Sequence, residues 1–390
     1  MGFKRLLAAV VVLVLSSSIL LAGCGGSGGE KKAGGEGSGP GVIKIGVFGP
    51  LSGSSSIAGT RQKDGAQFAA DQLNAKGGVL GKKIELIFED DEGVPANTTN
   101  VMNKLLYKDN VLVTMGSPNS PCVLAVMDLI KKAQTPHVVP SGVAMAITHS
   151  GNPYVFRITA TDEIYSRVLV DHAVKTLGLK KIAIIHDTND YGQGGMELVK
   201  KALKDNGLEP VAVEGYNKDS KDFTPQLMKV KNVAADGLVI WGMYTEGAQI
   251  VRQVKQLSLN VKVLASTGVT IGNFFELTGS SADGLIGVTG GFHKDKQDAT
   301  VQQFVKDYEA KKGYKPDMNV ATAYDAVMVV AKAIEKANAL DKGKIKEALA
   351  GLKDFPGLTG KLTFNQYGDG GTEALLFEIQ GSQTRLIQSK

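Results

Sequence analysis

Cysteine is scarce in this chain of 390 residues: only Cys24 and Cys122 occur. A disulfide framework is thereby excluded, and a chain this long can stand on its core without one. Basic blocks are missing as well. The lysines are scattered among acids and leave a net charge of only +5, so there is no nucleic-acid footprint and we expect no nucleic-acid partner. The five histidines (His137, His149, His172, His186, His293) lack metal-ligand spacing. The acidic cluster Glu89-Asp90-Asp91-Glu92 lacks the spacing of a calcium loop and reads as a solvated strand end. Neither a Gly-x-Ser-x-Gly elbow, a phosphate loop ending in Gly-Lys-Ser/Thr, nor His-Glu-x-x-His is present, and Gly192-Gln-Gly-Gly195 is too short for a dinucleotide fingerprint. We therefore expect no enzyme, no metal and no cofactor. After residue 24 no apolar run reaches the roughly 20 residues that span a bilayer.

What is there begins at the first residue. Lys4-Arg5 precede the unbroken apolar run Leu6 to Leu15, and Leu21-Ala22-Gly23-Cys24 follows. A positive region, an apolar core and a small-residue cleavage site are the parts of a secretory signal. Leu-Ala-Gly-Cys resembles the lipobox of bacterial lipoproteins, which implies cleavage after residue 23 and a lipid on Cys24; an uncleaved anchor with an incidental cysteine is the alternative. Lipidation of Cys24 leaves Cys122 without a partner, and with no base or cation evident nearby it reads as an inert buried thiol. Residues 24–41 are rich in Gly and Ser and read as a flexible spacer. About 17 such residues reach on the order of 20–25 Å.

From Val42 onward strand and helix patterns alternate, which argues for parallel sheets covered on both faces. Strands are expected at Val42–Phe48, Lys83–Phe88, Val111–Met115 and His137–Val139, with helices around Ala66–Leu73, after Pro95, and over Val123–Ala133. The alternation restarts with helix Ile164–Leu177, strand Lys181–His186, helix Gly192–Asn206, strand Pro210–Gly215, helix Pro225–Val230, strand Gly237–Trp241, helix Glu246–Leu257 and strand Val261–Leu264. Gly284–Val288 is expected to return towards the first lobe. Helices Val301–Lys311, Ala321–Lys336 and Ile345–Leu349 follow, and Lys361–Phe364, Leu375–Ile379 and Leu386–Gln388 are strand-like. The expected fold is α/β, with two doubly wound lobes joined by several crossings. Lobe one comprises 42–160 plus 287–365, and lobe two 161–286 plus 366–390.

Ligands of open parallel sheets bind beyond the carboxyl ends of the strands, where helix N-termini favour a carboxylate. The candidate loops are Ser52–Ser56, Gly116–Pro121 and Pro140–Val143 in the first lobe. In the second they are Asp187–Gly195, Gly242–Glu246 and Ser266–Gly268. Hydroxyls, amides and the aromatics Tyr191 and Tyr244 dominate, an inventory suited to binding a small polar molecule. Each has a plain structural alternative: Ser120 as a helix cap, Ser141 and Thr267 as turn residues, the tyrosines as half-buried core.

Val42–Gly49 with Pro50-Leu-Ser-Gly53, Gly65–Val79, Phe88–Asp91, Phe156-Arg157, His186-Asp187 with Asp190-Tyr191-Gly192, Asp222-Phe223 and Ala323-Tyr324-Asp325 together resemble the leucine/isoleucine/valine-binding proteins of branched-chain amino-acid ABC transporters. The resemblance implies a type I periplasmic binding protein fold, with two lobes, three hinge crossings and closure over a ligand. It implies a lipid-anchored solute-binding protein outside the membrane, monomeric, partnered by an ABC permease; a sensor subunit of a signalling receptor is the alternative. Carried over by position, Ser120 meets the ligand carboxylate, Ser141, Gly142 and Val143 form the next strand-end loop, and Tyr191 and Tyr244 are the second-lobe aromatics. Val143 replaces the family's threonine in the strand-end loop, and two further departures matter: Ala58 replaces a tyrosine, and Thr267 replaces the glutamate that neutralises the ligand ammonium. Glu246 and Asp190 stand as candidate replacements. The implied ligand is a branched-chain amino acid or a similar small carboxylate or amide.

Overall fold

A computed structural model describes residues 41–381 and 383–387. The expected signal (1–23), the lipidation site Cys24 and, apart from Gly41, the spacer lie outside the described residues.

The first lobe is a five-stranded parallel sheet, built from β1 (Ile43–Gly49), β2 (Ile84–Asp90), β3 (Val113–Met115), β4 (His137–Val139) and β5 (Val155–Arg157) in the order β2-β1-β3-β4-β5. Between these strands run α1 (Ser56–Ala75), α2 (Pro95–Asn103), α3 (Ser120–Ala125) and α4 (Met127–Ala133). The expected helix Val123–Ala133 is thus two helices, broken at Val126, whose backbone leaves helical geometry. The second lobe begins with α5 (Asp162–Asp171), β6 (Ile182–Asp187), α6 (Asp190–Asp205), β7 (Ala212–Tyr216) and α7 (Thr224–Asn232). It continues with β8 (Gly237–Trp241), α8 (Tyr244–Gln256), β9 (Lys262–Ala265), the short α9 (Phe274–Thr278) and β10 (Ile286–Gly290). The chain then returns to the first lobe as α10 (Ala299–Lys312), α11 (Met318–Ala337), α12 (Lys342–Ala350) and the small hairpin β11 (Phe355–Gly357) and β12 (Gly360–Leu362). Finally β13 (Ala374–Gln380) and β14 (Gln383–Ile387) complete a seven-stranded sheet of order β14-β13-β10-β9-β8-β6-β7.

One expectation is corrected. The strand at Gly284–Val288 does not return to the first lobe; as β10 it pairs parallel with β9 and antiparallel with β13. The reason is burial. All five of its residues are covered, and Ile286 and Val288 pack with Ile184, Val239 and Leu264 in a core of the second lobe. The chain crosses back only after Gly290.

Both sheets are covered on both faces, which explains their Val/Ile-rich strands. In the first lobe, Ile45, Val47, Val113 and Val138 meet α1 and α11, while Phe48 lies with Met102, Leu105, Leu106 and Ile130 on the opposite side. Burying each of these large side chains contributes roughly 1.5–3 kcal/mol before the ordering entropy is subtracted. Three crossings join the lobes, after β5, after β10 and before β13. Two of them are clamped together by Arg157, which is fully buried. Its Nε and Nη2 donate to Asp369 Oδ1 at 2.9 and 2.6 Å, and Nη1 donates to the Ala144 carbonyl at 2.8 Å. Burial pushes the Asp369 carboxyl up, but Arg157, Thr148 and His149 outweigh it and hold the group below its usual value.

Candidate functional site

The parallel strands of both lobes point their carboxyl ends at one cleft, so α3, α6, α8 and α11 all start there. In it lies a cavity of about 70 Å³, lined on the first-lobe side by Ser54, Ser55, Asn119, Ser120, Ser141, Val143, Met318 and Asn319. The second lobe contributes Asp187, Asn189, Tyr191, Lys218, Met243, Glu246, Thr267 and Ile271.

Ser120 is the first residue of α3 rather than its cap, a position held by Asn119. Its Oγ accepts from the Ala144 amide at 3.3 Å, which leaves the hydroxyl proton free for another acceptor. Asn119 and Asn319 each place a buried polar atom at the cavity without a protein partner, Oδ1 and Nδ2 respectively. Orphaned polar atoms at a cavity wall are costly unless a bound molecule or water satisfies them. Ser141 Oγ is engaged with Thr322 Oγ1 at 2.8 Å. Gly142 is buried but does not line the cavity, because it packs behind the wall against Val139 and Ile147.

On the opposite wall, Asn189 caps α6 through Oδ1, which accepts from the Gly192 amide at 2.9 Å. Gly192 is required there, since a Cβ would stand 2.0 Å from the Asp187 carbonyl oxygen. That close approach brings Tyr191 into the wall. Its hydroxyl donates to Ser266 Oγ at 3.1 Å and accepts from the Gly268 amide at 3.3 Å, and burial raises its pKa, so it stays neutral. Asp187 is buried, and burial together with the nearby Glu246 raises its carboxyl above the usual range against the Asn189 donor and Lys218. Glu246 is also buried; Oε1 accepts from the Asp219 amide at 2.8 Å, and Oε2 accepts from the Thr245 hydroxyl. This wall thus carries two buried acids beside Lys218, whereas the wall formed by α3 and its neighbours presents hydroxyls and amides.

Of the residues singled out from sequence, Ser120, Ser141, Val143, Tyr191 and Thr267 therefore share this cavity. Tyr244 does not line it. Met243 occupies the wall in that loop, and the Tyr244 hydroxyl crosses the cleft to donate to the Ser54 carbonyl at 2.8 Å. Ala58 is buried in α1 away from the cavity, and Asp190 is exposed outside it. The sequence reading did not single out Ile271, Lys218, Met318 or Asn319. For the last two a signal existed, because Asp317 caps α11 through the Val320 amide and places Met318 and Asn319 on its first turn.

Known proteins share this fold. A family profile described as periplasmic binding protein matches residues 42–383. The chain belongs to the periplasmic binding protein family. Within it, this binding protein is 30% identical over 327 residues to a leucine-, isoleucine-, valine-, threonine- and alanine-binding protein of Pseudomonas aeruginosa, a match covering 84% of this chain and 87% of that one. A leucine-binding protein from Thermotoga maritima superposes with a TM-score of 0.84 at 27% identity, over 89% of this chain and 98% of that one. A branched-chain amino-acid transporter substrate-binding protein from Streptococcus pneumoniae, solved with isoleucine, gives a TM-score of 0.83 at 28% identity, over 89% and 99%. The resemblance to the leucine/isoleucine/valine-binding proteins is thus a family relationship, and the fold is the type I periplasmic binding protein fold. The family is one of solute-binding proteins rather than enzymes. Among the described residues no group of three or more His, Cys, Asp or Glu is placed to hold a metal ion, and no helix is long and apolar enough to cross a membrane.

Proposed function

We propose that this binding protein is the solute-capturing component of an ABC importer and closes its lobes over a branched-chain amino acid or a similar small carboxylate or amide. The observation that carries the reading is the polarity across the cavity. Ser120, Asn119 and the first turn of α3 face it from one lobe, and the acids Asp187 and Glu246 face it from the other. Pro121 has no N–H, and the Cys122 and Val123 amides donate to the Asn119 carbonyl, so the Ser120 hydroxyl and amide are the donors that suit a carboxylate there. Buried carboxylates suit an ammonium, which cannot be buried unpaired without a large penalty. Asp187 and Glu246 thus supply the charge that Thr267 lacks.

In this reading Ser120, Asn119, Ser141 and Val143 hold the carboxylate end. Tyr191 and Thr267 complete the opposite wall, and Gly142 and Tyr244 act by shaping and sealing the cavity. Closure presents a permease with a surface that the open form lacks, so occupancy is read through the difference between the two states. The signal at residues 1–23 and a lipid on Cys24 keep the protein on the outer face of the cell membrane, within reach of that permease.

Native mass spectrometry of the protein purified from its host, followed by calorimetric titration of amino acids, amides and small carboxylates, tests the reading. A retained mass matching one of these classes, and saturable binding of that compound, is expected. An absence of binding across all three classes would sink it.

A further inference from the structure

A second chamber of about 130 Å³ adjoins the first, and Thr267, Ile271 and Met318 line both. From these shared residues, and resting on the reading above, we propose that the ligand is longer than valine or leucine. Its charged head lies in the first cavity and an aryl tail extends through this partition into the second.

Two of the three residues of the partition, Ile271 and Met318, are apolar. Ile271 and Met318 carry no charged or hydrogen-bond-donating side-chain group, whereas Ser120, Asn119, Asp187 and Glu246 supply the polar groups elsewhere. A zwitterionic head held by those groups leaves its apolar substituent to face the apolar lining, of which Ile271 and Met318 border the second chamber. The partition is also breachable. Met318 comes from the start of α11, and Thr267 and Ile271 come from the segment between β9 and α9, so opposite lobes supply its two sides. Methionine is unbranched and adaptable, and it fills irregular gaps at little cost when its rotamer changes. Its sulfur accepts only from the Gly290 amide at 2.9 Å and the Thr289 hydroxyl at 3.2 Å.

The chamber beyond has the chemistry of an aryl pocket. Phe275, Phe292 and Phe377 line it together with Val288 and Pro316, and its polar groups are largely engaged with protein partners. His293 donates to or accepts from Thr384 at 2.8 Å, and burial holds its ring well below the usual range, at about 4, so it is neutral. Lys294 is paired with Asp295 at 2.7 Å, and Asp317 is occupied in capping α11. Aromatic side chains receive a ring edge-to-face or offset, a geometry that an alkyl chain does not exploit. Because Phe292, His293 and Lys294 belong to the second crossing, a tail in the chamber touches the hinge that closes the lobes.

Calorimetric titration of the full chain with L-valine, L-leucine and L-phenylalanine tests this. L-phenylalanine is expected to bind at least about tenfold more tightly than L-valine, the ratio given by burying roughly two further methylene equivalents. Thr270→Phe fills the second chamber from a residue that lines only that chamber. It is expected to abolish the aryl preference while leaving L-valine binding unchanged, and the retained L-valine binding reports that the variant folds. Phe275→Trp, a second filling variant, is expected to do the same. Equal affinity for L-valine and L-phenylalanine, or an equal loss of both in the two variants, would overturn the aryl tail and leave the solute-binding reading intact. Failure of all three amino acids to bind would overturn both.

Discussion

Asp162 carries two carboxylate oxygens that are buried without a hydrogen-bond donor. It opens α5, where the chain has just crossed between lobes, and its surroundings include Arg157, Tyr165 and Tyr191. Burial pushes its pKa up to about 8, against the opposing charge of Arg157. An unfolded aspartate titrates near 3.9, so between about pH 4 and pH 8 the folded state holds a proton that the unfolded chain has released. Stability contributed at this position is therefore full below pH 4 and falls as pH rises towards 8, by an amount on the order of a few kcal/mol. Asp162→Asn removes the titration. Its melting temperature relative to the parent is expected to climb between pH 5 and pH 8, and a constant difference across that range would refute the assignment. Sequence did not mark this residue, because an acid at a helix start reads as an ordinary dipole partner. Its cost comes from long-range burial. Ser120, Ser141 and Val143 were legible because strand ends in parallel sheets name their own loops. Tyr244 was legible only to within one position: the loop was identified, but the choice between Met243 and Tyr244 depends on helix phase at the α8 start, which periodicity does not resolve.

At the scale of elements, α1 against α11 shows how small residues set the spacing of helices. Ala66, Ala69 and Ala70 of α1 share one core with Ala323, Val327 and Val330 of α11, and at Gly65 a Cβ would stand 2.1 Å from the Val320 carbonyl oxygen. In a free helix Gly→Ala stabilises by roughly 1 kcal/mol. Here the backbone clash forces the helices apart, and overpacking of that kind costs about 1–3 kcal/mol, with backbone contacts at the upper end. Steric cost wins, so Gly65→Ala is expected to destabilise. Gly194 in α6 is exposed, and a Cβ added there would meet nothing within 4 Å, so Gly194→Ala is expected to stabilise by about 0.5–1 kcal/mol. Denaturant midpoints of the two variants check the pair, and a shift of the same sign in both would show that the helix approach does not decide. The long helices and central strands were readable from periodicity. Strand β5, three residues long, and α9, five residues long, were not: elements so short carry too little pattern and are fixed by neighbours distant in sequence.

For the whole molecule the decisive quantity is the balance between open and closed lobes, and the cleft shows what holds it closed. The Tyr244 hydroxyl of the second lobe donates to the Ser54 carbonyl of the first at 2.8 Å. Ile57, at the start of α1, packs against the second lobe's core, and Val143 joins the core around Tyr191. None of these contacts needs the ligand, so each weights the closed form in its own right. A ligand's apparent affinity scales with the fraction of molecules in the competent state, and weakening a latch weakens binding without touching the ligand. Tyr244→Phe removes one hydrogen bond and keeps the ring, and the net value of such a bond is about 0.5–1.5 kcal/mol. Affinity is therefore expected to fall about twofold to tenfold. The loss should appear as faster release, since the latch forms after the encounter. Solution scattering of the free protein should at the same time show a larger radius of gyration than the parent. An unchanged radius with weakened binding would place Tyr244 in direct contact with the ligand, whereas an unchanged affinity would show that Ile57 and Val143 hold the lobes without it.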